Sequence, residues 1–207
     1  MFCKDELRIE LVSIITNGSR VTERFLSTAG RCIDIIAVSC DSFREETNIK
    51  IGRGKGSQLQ NVVQFLQLCQ KYGIKFKLNT VVNRFNFEEN MNKYIQEIQT
   101  FRWKCFQVLI IEGENDSDST LRDASRFTIT NEEFEKFCKA HSGNNCFVAE
   151  PNNIMKSSYL ILNEYMQFLN KGTSSPTPSI LEVGVKEALK YVYWDQKSFY
   201  DRGEIYE

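Results

Sequence analysis

KFKLNTVVNRFN, residues 75–86, alternates like a buried strand but carries the wrong residues on one side. Phe76, Leu78, Thr80 and Val82 fall on one face at a period of two, and Lys77, Asn79, Val81 and Asn83 fall on the other. A strand this apolar has no ordinary reason to hold an ammonium and two amides in register. RWKCFQVLIIEGEN, residues 102–115, repeats the pattern by placing Arg102 and Lys104 on one face at its start. If both segments belong to one sheet, three cations and two amides converge.

Working outward, strand-like runs recur. LVSIITNGS (11–19), CIDIIAVSCDS (32–42), KFKLNTVVNRFN and KCFQVLIIEGEN (104–115) each end in polar or glycine-containing turns. Near-continuous apolar runs suit strands buried on both faces, as in parallel sheets. Helical patterns separate them: a short one over 22–29, a stripe of Leu59, Val62, Val63, Leu66 and Cys69 closed by Tyr72 and Gly73, and Met91, Tyr94, Ile95 and Ile98. The alternation predicts βαβ units with right-handed crossovers. TNEEFEKFCKAH (130–141) then opens with a capping box, Thr130 at the N-cap and Glu133 three residues on. SYLILNEYMQFLN (158–170) reads as a hairpin broken at Asn163 and Glu164, KGTSSPTPS (171–179) as a surface loop, and 185–191 and 195–202 as helical. The fold expected is α/β, with about four β/α units over residues 1–125 and an extension over 126–207. A closed eight-unit barrel needs ~250 residues, so part of a barrel or an open sheet is the expectation.

Composition narrows the function classes. The 207 residues carry 26 basic and 27 acidic side chains, a net charge of −1, so no overall field steers the protein toward nucleic acid or an anionic membrane. An anion site has to be local. Cys3, Cys32, Cys40, Cys69, Cys105, Cys138 and Cys146 are never closer than eight positions, which provides neither a zinc pair nor an iron–sulfur triplet. They read as small buried residues of a reducing compartment. The opening MFCKDELRIELVSIITNG has no targeting pattern, nothing approaches the ~18 apolar residues of a membrane span, and the start just ahead of a strand is expected of a piece of a longer protein.

Ligands of parallel sheets bind beyond the carboxyl ends of the strands. The polar strand ends are Asn17-Gly18-Ser19, Ser39-Cys40-Asp41-Ser42, residues 83–86, and Glu112-Gly113-Glu114-Asn115. Singly each is ordinary turn chemistry; together they make a rim of hydrogen-bonding groups. Lys77, Asn79, Arg102 and Lys104 are either solvated charge with carboxylate partners or the lining of a partial barrel. In the second case inward-facing cations imply an anionic guest, because desolvating charge costs several kcal/mol, and Lys with Arg suits phosphates. IGRGKGSQ (51–58) is neither a Walker nor a dinucleotide motif, but its glycines permit close backbone approach and Arg53 is placed to meet a carboxylate. His141, the single histidine, reads as a surface residue at a helix C-terminus. EGENDSDS (112–119) lacks calcium-loop spacing and reads as a solvated loop.

The succession SIITNGS, AVSCDSFREETNIKIGRGKG, FKLNTVVNRFNFEENM, RWKCFQVLIIEGEN and SYLILNEYMQFLN resembles the viperin family of antiviral radical SAM enzymes over nearly the whole chain. The resemblance implies a partial (β/α) barrel, a [4Fe–4S] cluster, S-adenosylmethionine, and conversion of CTP to 3′-deoxy-3′,4′-didehydro-CTP. By position it implies Ser39 and Arg53 at the methionyl part of the cofactor, with Asn17 and Asn86 on its ribose or adenine side. Lys77, Asn79, Arg102 and Lys104 match the nucleotide site, chiefly the triphosphate clamp, and Tyr159 on the tail hairpin matches the tyrosine near the substrate ribose. Residues 126–207 then become the extension that caps the substrate site. The family further implies iron–sulfur delivery machinery, antiviral signalling partners, interferon induction, and the cytosolic face of the endoplasmic reticulum and lipid droplets, with no direct nucleic acid binding. The cluster-ligating Cys-x-x-x-Cys-x-x-Cys is missing here, as are the amphipathic anchor and the terminal tryptophan used in cluster delivery. The expectations are therefore a fragment of the dehydratase, inactive alone, cytosolic if made as such and with no metal ligands of its own, or a clusterless nucleotide-binding or interaction protein of the same descent.

Overall fold

The apolar runs lie side by side in the order of the chain. In the computed structural model, which describes residues 1–110, 115–116, 123–169 and 176–201, the chain divides into two compact units. One comprises Met1–Gln107 with Ile129–Ala149, the other Val108–Thr128 with Glu150–Glu207. The expected acidic loop at 112–119 and the loop at 171–179 lie largely outside the described residues.

The first unit runs α1 (Phe2–Asp5), β1 (Ser13–Thr16), α2 (Glu23–Ala29), β2 (Ile35–Ser39), α3 (Glu45–Ile51), α4 (Gln58–Lys71), β3 (Lys75–Val82), α5 (Asn92–Ile98), β4 (Arg102–Gln107), α6 (Asn131–His141) and β5 (Phe147–Glu150). The sheet order is β1-β2-β3-β4-β5, and β1 through β4 pair in parallel. A doubly wound sheet reverses its strand order at the ligand crevice. This one does not, so right-handed crossovers advance in one direction and set their helices on a single face. The other face corresponds to the inside of an incomplete barrel.

The buried core agrees. Ile36, Val38 and Cys40 of the β2 segment, Phe76, Leu78 and Val82 of β3, and Trp103 and Cys105 of β4 pack with Leu26 of α2, Val62, Phe65 and Cys69 of α4, Met91 and Ile95 at α5, and Phe134 and Phe137 of α6. Ile35 and Ala37 are fully buried yet stand outside that cluster, because they point to the opposite face. Gly18, with φ +87°, lets the turn after β1 pass Phe65, whose ring carbon lies 3.1 Å from where a Cβ would sit. The capping box of α6 forms as read: Glu133 N–H donates to Thr130 Oγ1 at 3.2 Å, and Thr130 N–H donates to Glu133 Oε2 at 2.8 Å.

Three readings need correction. β4 stops at Gln107 although the apolar run continues, because its partner β3 ends at Val82, the residue opposite Gln107. The strand β5 and helix α3 were not anticipated. His141 is not a surface residue: it is 1% exposed, edge-on to Trp103 with ring centroids 5.2 Å apart. It continues the Phe134, Phe137 stripe that turns α6 toward the core.

Met91 N–H donates to His141 Nε2 at 3.0 Å, so the proton sits on Nδ1, which donates to the Phe137 carbonyl at 2.7 Å. Burial holds the imidazole below its usual pKa. A folded pKa depressed below 6.5 means the unfolded chain takes up the proton first, so stability is intact above pH 6.5 and falls as pH drops beneath it. The slope cannot exceed about 1.4 kcal/mol per pH unit for one proton. Urea unfolding at pH 7.5 and 5.5 checks this: His141→Gln is less stable than the parent at pH 7.5 and loses less between the two values.

The second unit contains α7 (Asn152–Ser158), α8 (Ile180–Val183), α9 (Val185–Ala188) and α10 (Gln196–Asp201). The expected hairpin is a small one, with Leu169 N–H donating to the Ile161 carbonyl and Leu162 bridged to Phe168. Tyr159 precedes it, half-buried at the C-cap of α7, and is not on the hairpin itself. Among the described residues no helix is long and apolar enough to cross a membrane.

Candidate functional site

The register of β1 to β4 sets two rows across the inner face. Ile15, Ala37, Lys77 and Arg102 are successive partners in one row; Ser39, Asn79 and Lys104 are partners in the next, nearer the carboxyl ends. Asn17 lies one residue past β1. Neighbouring strands stand ~4.8 Å apart and alternate residues ~7 Å along a strand, so Lys77, Arg102 and Lys104 sit within a patch the width of a few phosphate groups. Lys77 and Lys104 are 5% and 3% exposed, and Arg102 is half-buried. The strands are held from the other face: Trp103 Nε1 donates to Thr80 Oγ1 at 2.9 Å, and Thr80 Oγ1 donates to the Cys40 carbonyl at 2.7 Å.

Asn79 is buried between these cations, and its Oδ1 has no hydrogen-bond partner among the described residues. An orphaned buried acceptor costs roughly 1–3 kcal/mol. A ligand donor on this face relieves that cost.

Above the rows, at the carboxyl ends, the other expected residues separate by role. Arg53 follows Gly52 and precedes Gly54, both at φ near +90°, and its N–H donates to the Asn48 carbonyl at 2.8 Å. Its Nε donates to Asp41 Oδ2 at 2.6 Å. The Ser39 carbonyl accepts from Gln58 Nε2 at 2.7 Å, which ties the end of β2 to the start of α4. Asn86 braces the exit of β3: its Nδ2 donates to the carbonyls of Asp41 and Val81, and its Oδ1 accepts from Asn83 N–H. Asn17 is exposed, with Oδ1 accepting from Ser19 N–H and Ser19 Oγ. The sheet thus brings Ser39, Lys77, Asn79, Arg102 and Lys104 onto one face, with Arg53, Asn17 and Asn86 at its carboxyl-end rim. Tyr159 belongs to the other unit.

Two carboxylates that the sequence reading did not single out hold this rim. Asp41 accepts Val81 N–H at 2.8 Å as well as Arg53. Glu89, 6% exposed, accepts Phe43 N–H at 2.9 Å and Ser42 Oγ at 2.5 Å. Their partners lie forty or more residues away, or across a loop, where no local periodicity reports them.

The residues fit a zwitterionic cofactor beside a polyanion: a guanidinium and backbone groups at the rim, ammonium groups below. They do not fit an iron–sulfur cluster. No Cys-x-x-x-Cys-x-x-Cys occurs in the chain. Among the described residues no three His, Cys, Asp or Glu side chains group as metal ligands. Burial pushes the Cys40 thiol up to about 12 and the Cys105 thiol well above its usual range, which disfavours the ligating thiolate.

No family model matches the chain. Among curated proteins it is 46% identical to S-adenosylmethionine-dependent nucleotide dehydratase RSAD2 of Oncorhynchus mykiss, over 99% of this chain and 60% of the fish protein. It is 33% identical to the S-adenosylmethionine-dependent nucleotide dehydratase of Flammeovirga pacifica, over 94% of this chain and 67% of that one. Among solved structures, native anSMEcpe with bound AdoMet and Kp18Cys peptide superposes with a TM-score of 0.62 at 13% identity, over 93% of this chain and 59% of that chain. That likeness carries the fold alone, an α/β partial barrel left open in this chain. The chain spans about 60% of the length of the fish relative. With this sheet, this wall of basic residues and this identity, the chain belongs to the family of S-adenosylmethionine-dependent nucleotide dehydratases.

Proposed function

We propose that this chain provides the nucleotide-holding wall and the methionyl-binding rim of a viperin-type radical SAM dehydratase acting on CTP. The observation that carries the proposal is the register that aligns Lys77 with Arg102 and Asn79 with Lys104 on the inner face. Lys77, Arg102 and Lys104 clamp the triphosphate as charged hydrogen-bond donors. Asn79 Oδ1 accepts from a nucleotide hydroxyl or amino group. Arg53 receives the cofactor's carboxylate, Ser39 lies beside its amino-acid end, and Asn17 and the turn held by Asn86 border its nucleoside end. S-adenosylmethionine supplies the radical chemistry when bound; the chain's own residues hold the ribose in one orientation toward it and keep the phosphates fixed during loss of water.

Tyr159 is assigned by family likeness as the tyrosine that positions the ribose or donates a hydrogen late in the reaction. On the same likeness the whole enzyme carries a [4Fe–4S] cluster delivered by iron–sulfur machinery. It is interferon-induced, acts in antiviral defence with signalling partners, and works at the cytosolic face of the endoplasmic reticulum and lipid droplets. The cluster-ligating Cys-x-x-x-Cys-x-x-Cys spacing does not occur in this sequence, and that favours a second reading in which the chain by itself binds nucleotide without turnover. Calorimetric titration of CTP and of S-adenosylmethionine tests the proposal: each ligand is expected to bind one-to-one, and the absence of heat for CTP overturns it. Assay of the iron-reconstituted chain for 5′-deoxyadenosine separates the readings, with none expected from this chain alone.

A further inference from the structure

Arg53 is held at both ends by residues anchored on the exit of β3. Its Nε donates to Asp41 Oδ2 at 2.6 Å; Val81 N–H donates to Asp41 Oδ1 at 2.8 Å, and Asn86 Nδ2 donates to the Asp41 carbonyl at 2.5 Å. Its backbone N–H donates to the carbonyl of Asn48 at 2.8 Å. Asn48 is fully buried, and its Nδ2 donates to the Ser42 carbonyl at 2.8 Å. Ser42 Oγ accepts Arg44 N–H at 2.9 Å, at the start of α3, and donates to Glu89 Oε2 at 2.5 Å. Phe43 N–H donates to Glu89 Oε1 at 2.9 Å. Glu89 therefore grips two successive residues of the loop from which α3 and Arg53 follow. The turn that carries Glu89 is itself tightly bonded. Asn86 N–H and Phe87 N–H donate to the Asn83 carbonyl at 3.1 and 3.0 Å, and Glu89 N–H donates to the Asn86 carbonyl at 2.9 Å. The side-chain amides of Asn83 and Asn86 donate to the Val81 carbonyl at 3.0 and 2.9 Å.

We infer that Glu89 is a positioning residue for the methionyl subsite: its two carboxylate oxygens clamp Ser42 and Phe43 to the turn after β3 and thereby fix where Arg53 presents its guanidinium. This deepens the assignment of Arg53 to the cofactor's carboxylate and rests on it. The glycines beside Arg53 do not fix its place. Gly52 and Gly54 are both left-handed, and a Cβ built at either meets nothing within 4 Å, so the loop is open at those points. A carboxylate suits the task because the Phe43 N–H and the Ser42 hydroxyl belong to neighbouring buried residues, and a buried donor left without an acceptor is costly. Two oxygens of one charged side chain serve both donors, and serve them strongly. The arrangement has a functional consequence. β3 carries Lys77 and Asn79 on the inner face, and its exit turn carries the grip on the Arg53 loop. One strand thus sets the spacing between the nucleotide and the amino-acid end of the cofactor, on which reaction between two bound ligands depends.

Backbone amide exchange followed by NMR, together with calorimetric titration of S-adenosylmethionine, tests this in the full chain, Glu89→Gln and Glu89→Ala. In Glu89→Ala the Arg53 amide is expected to exchange about tenfold faster, the loss of one charge-assisted contact, and the cofactor to bind about tenfold more weakly. The Trp103 amide, which donates to the Cys146 carbonyl at 2.7 Å, reports the core and is expected to exchange as in the parent. Glu89→Gln keeps an acceptor for Phe43 N–H and a polar atom opposite the Ser42 hydroxyl, so it restores both readouts to within about threefold of the parent. A merely structural Glu89 would speed the Arg53 and Trp103 amides together, and that result overturns the inference. So does a Glu89→Ala variant with either the Arg53 exchange or the cofactor affinity unchanged, or a Glu89→Gln variant as impaired as Glu89→Ala. If Glu89→Ala lacks the parent's circular dichroism, Ser42→Ala decides: it removes one of the two clamped groups and is expected to speed the Arg53 amide and leave Trp103 alone, and unchanged Arg53 exchange overturns the inference. A parent that binds no S-adenosylmethionine fails the assignment of Arg53, and this inference falls with it; a parent that binds it, with Glu89→Ala behaving identically, fails the inference alone.

Discussion

Lys104→Ala is expected to weaken CTP binding by about 30-fold or more. Lys104 is 3% exposed and is the β4 partner of Asn79, one row above the Lys77 and Arg102 pair. Truncating one member of a buried, hydrogen-bonded charge contact costs about 2 kcal/mol or more, which is that factor. The same substitution on a solvated charge costs next to nothing. Isothermal titration with CTP distinguishes these outcomes. Lys75→Ala is the internal control, because Lys75 lies on the same face as Lys77 at the start of β3, beside β4, but is exposed and rests over the Phe101 ring at 4.6 Å.

Trp103→Ala is expected to remove a large share of the chain's stability. Trp103 is fully buried, edge-on to Phe137, His141 and Phe147. Its Nε1 hydrogen bond to Thr80 also joins β4 to β3. Replacing a core Trp by Ala costs about 3–5 kcal/mol, a large share of the ~5–15 kcal/mol that holds a domain folded. Because Trp103 and Lys104 are adjacent and point to opposite faces, the loss also scatters the cationic rows. Trp103→Phe keeps the ring contacts and loses the indole donor, so its urea midpoint is expected to fall between those of the parent and the alanine variant. Equal midpoints for Trp103→Ala and the parent would contradict the packing account.

These two adjacent residues also indicate what a single sequence discloses. The face assignment in β3 was legible because period-two alternation states it directly, and Phe76, Leu78 and Val82 are buried in the core as that alternation requires. The capping box of α6 and the α4 stripe were legible for the same reason, being local patterns. Val63 is the exception, read as part of the stripe but 49% exposed, because α4 buries Val62, Phe65 and Cys69 on a narrower face. Asp41 and Glu89 left no such trace. A carboxylate next to Ser and Cys looks like turn chemistry until the backbone N–H of Val81 is found beside it, forty residues on. His141 was misread because its charge type was weighed above its spacing from Phe134 and Phe137. The continuation of β4 past Gln107 failed for a further reason: a strand ends where its neighbour ends, and hydrophobicity does not record that.

The central claim is that the inner face of this sheet holds a nucleotide by its phosphates. Competition calorimetry tests it most directly, with CTP titrated into the chain in the presence of inorganic tripolyphosphate or of cytidine. The account predicts that tripolyphosphate displaces CTP, that cytidine does so poorly, and that the difference shrinks in Lys77→Ala and Lys104→Ala. Displacement by cytidine as effective as by tripolyphosphate, unchanged in those variants, would contradict it.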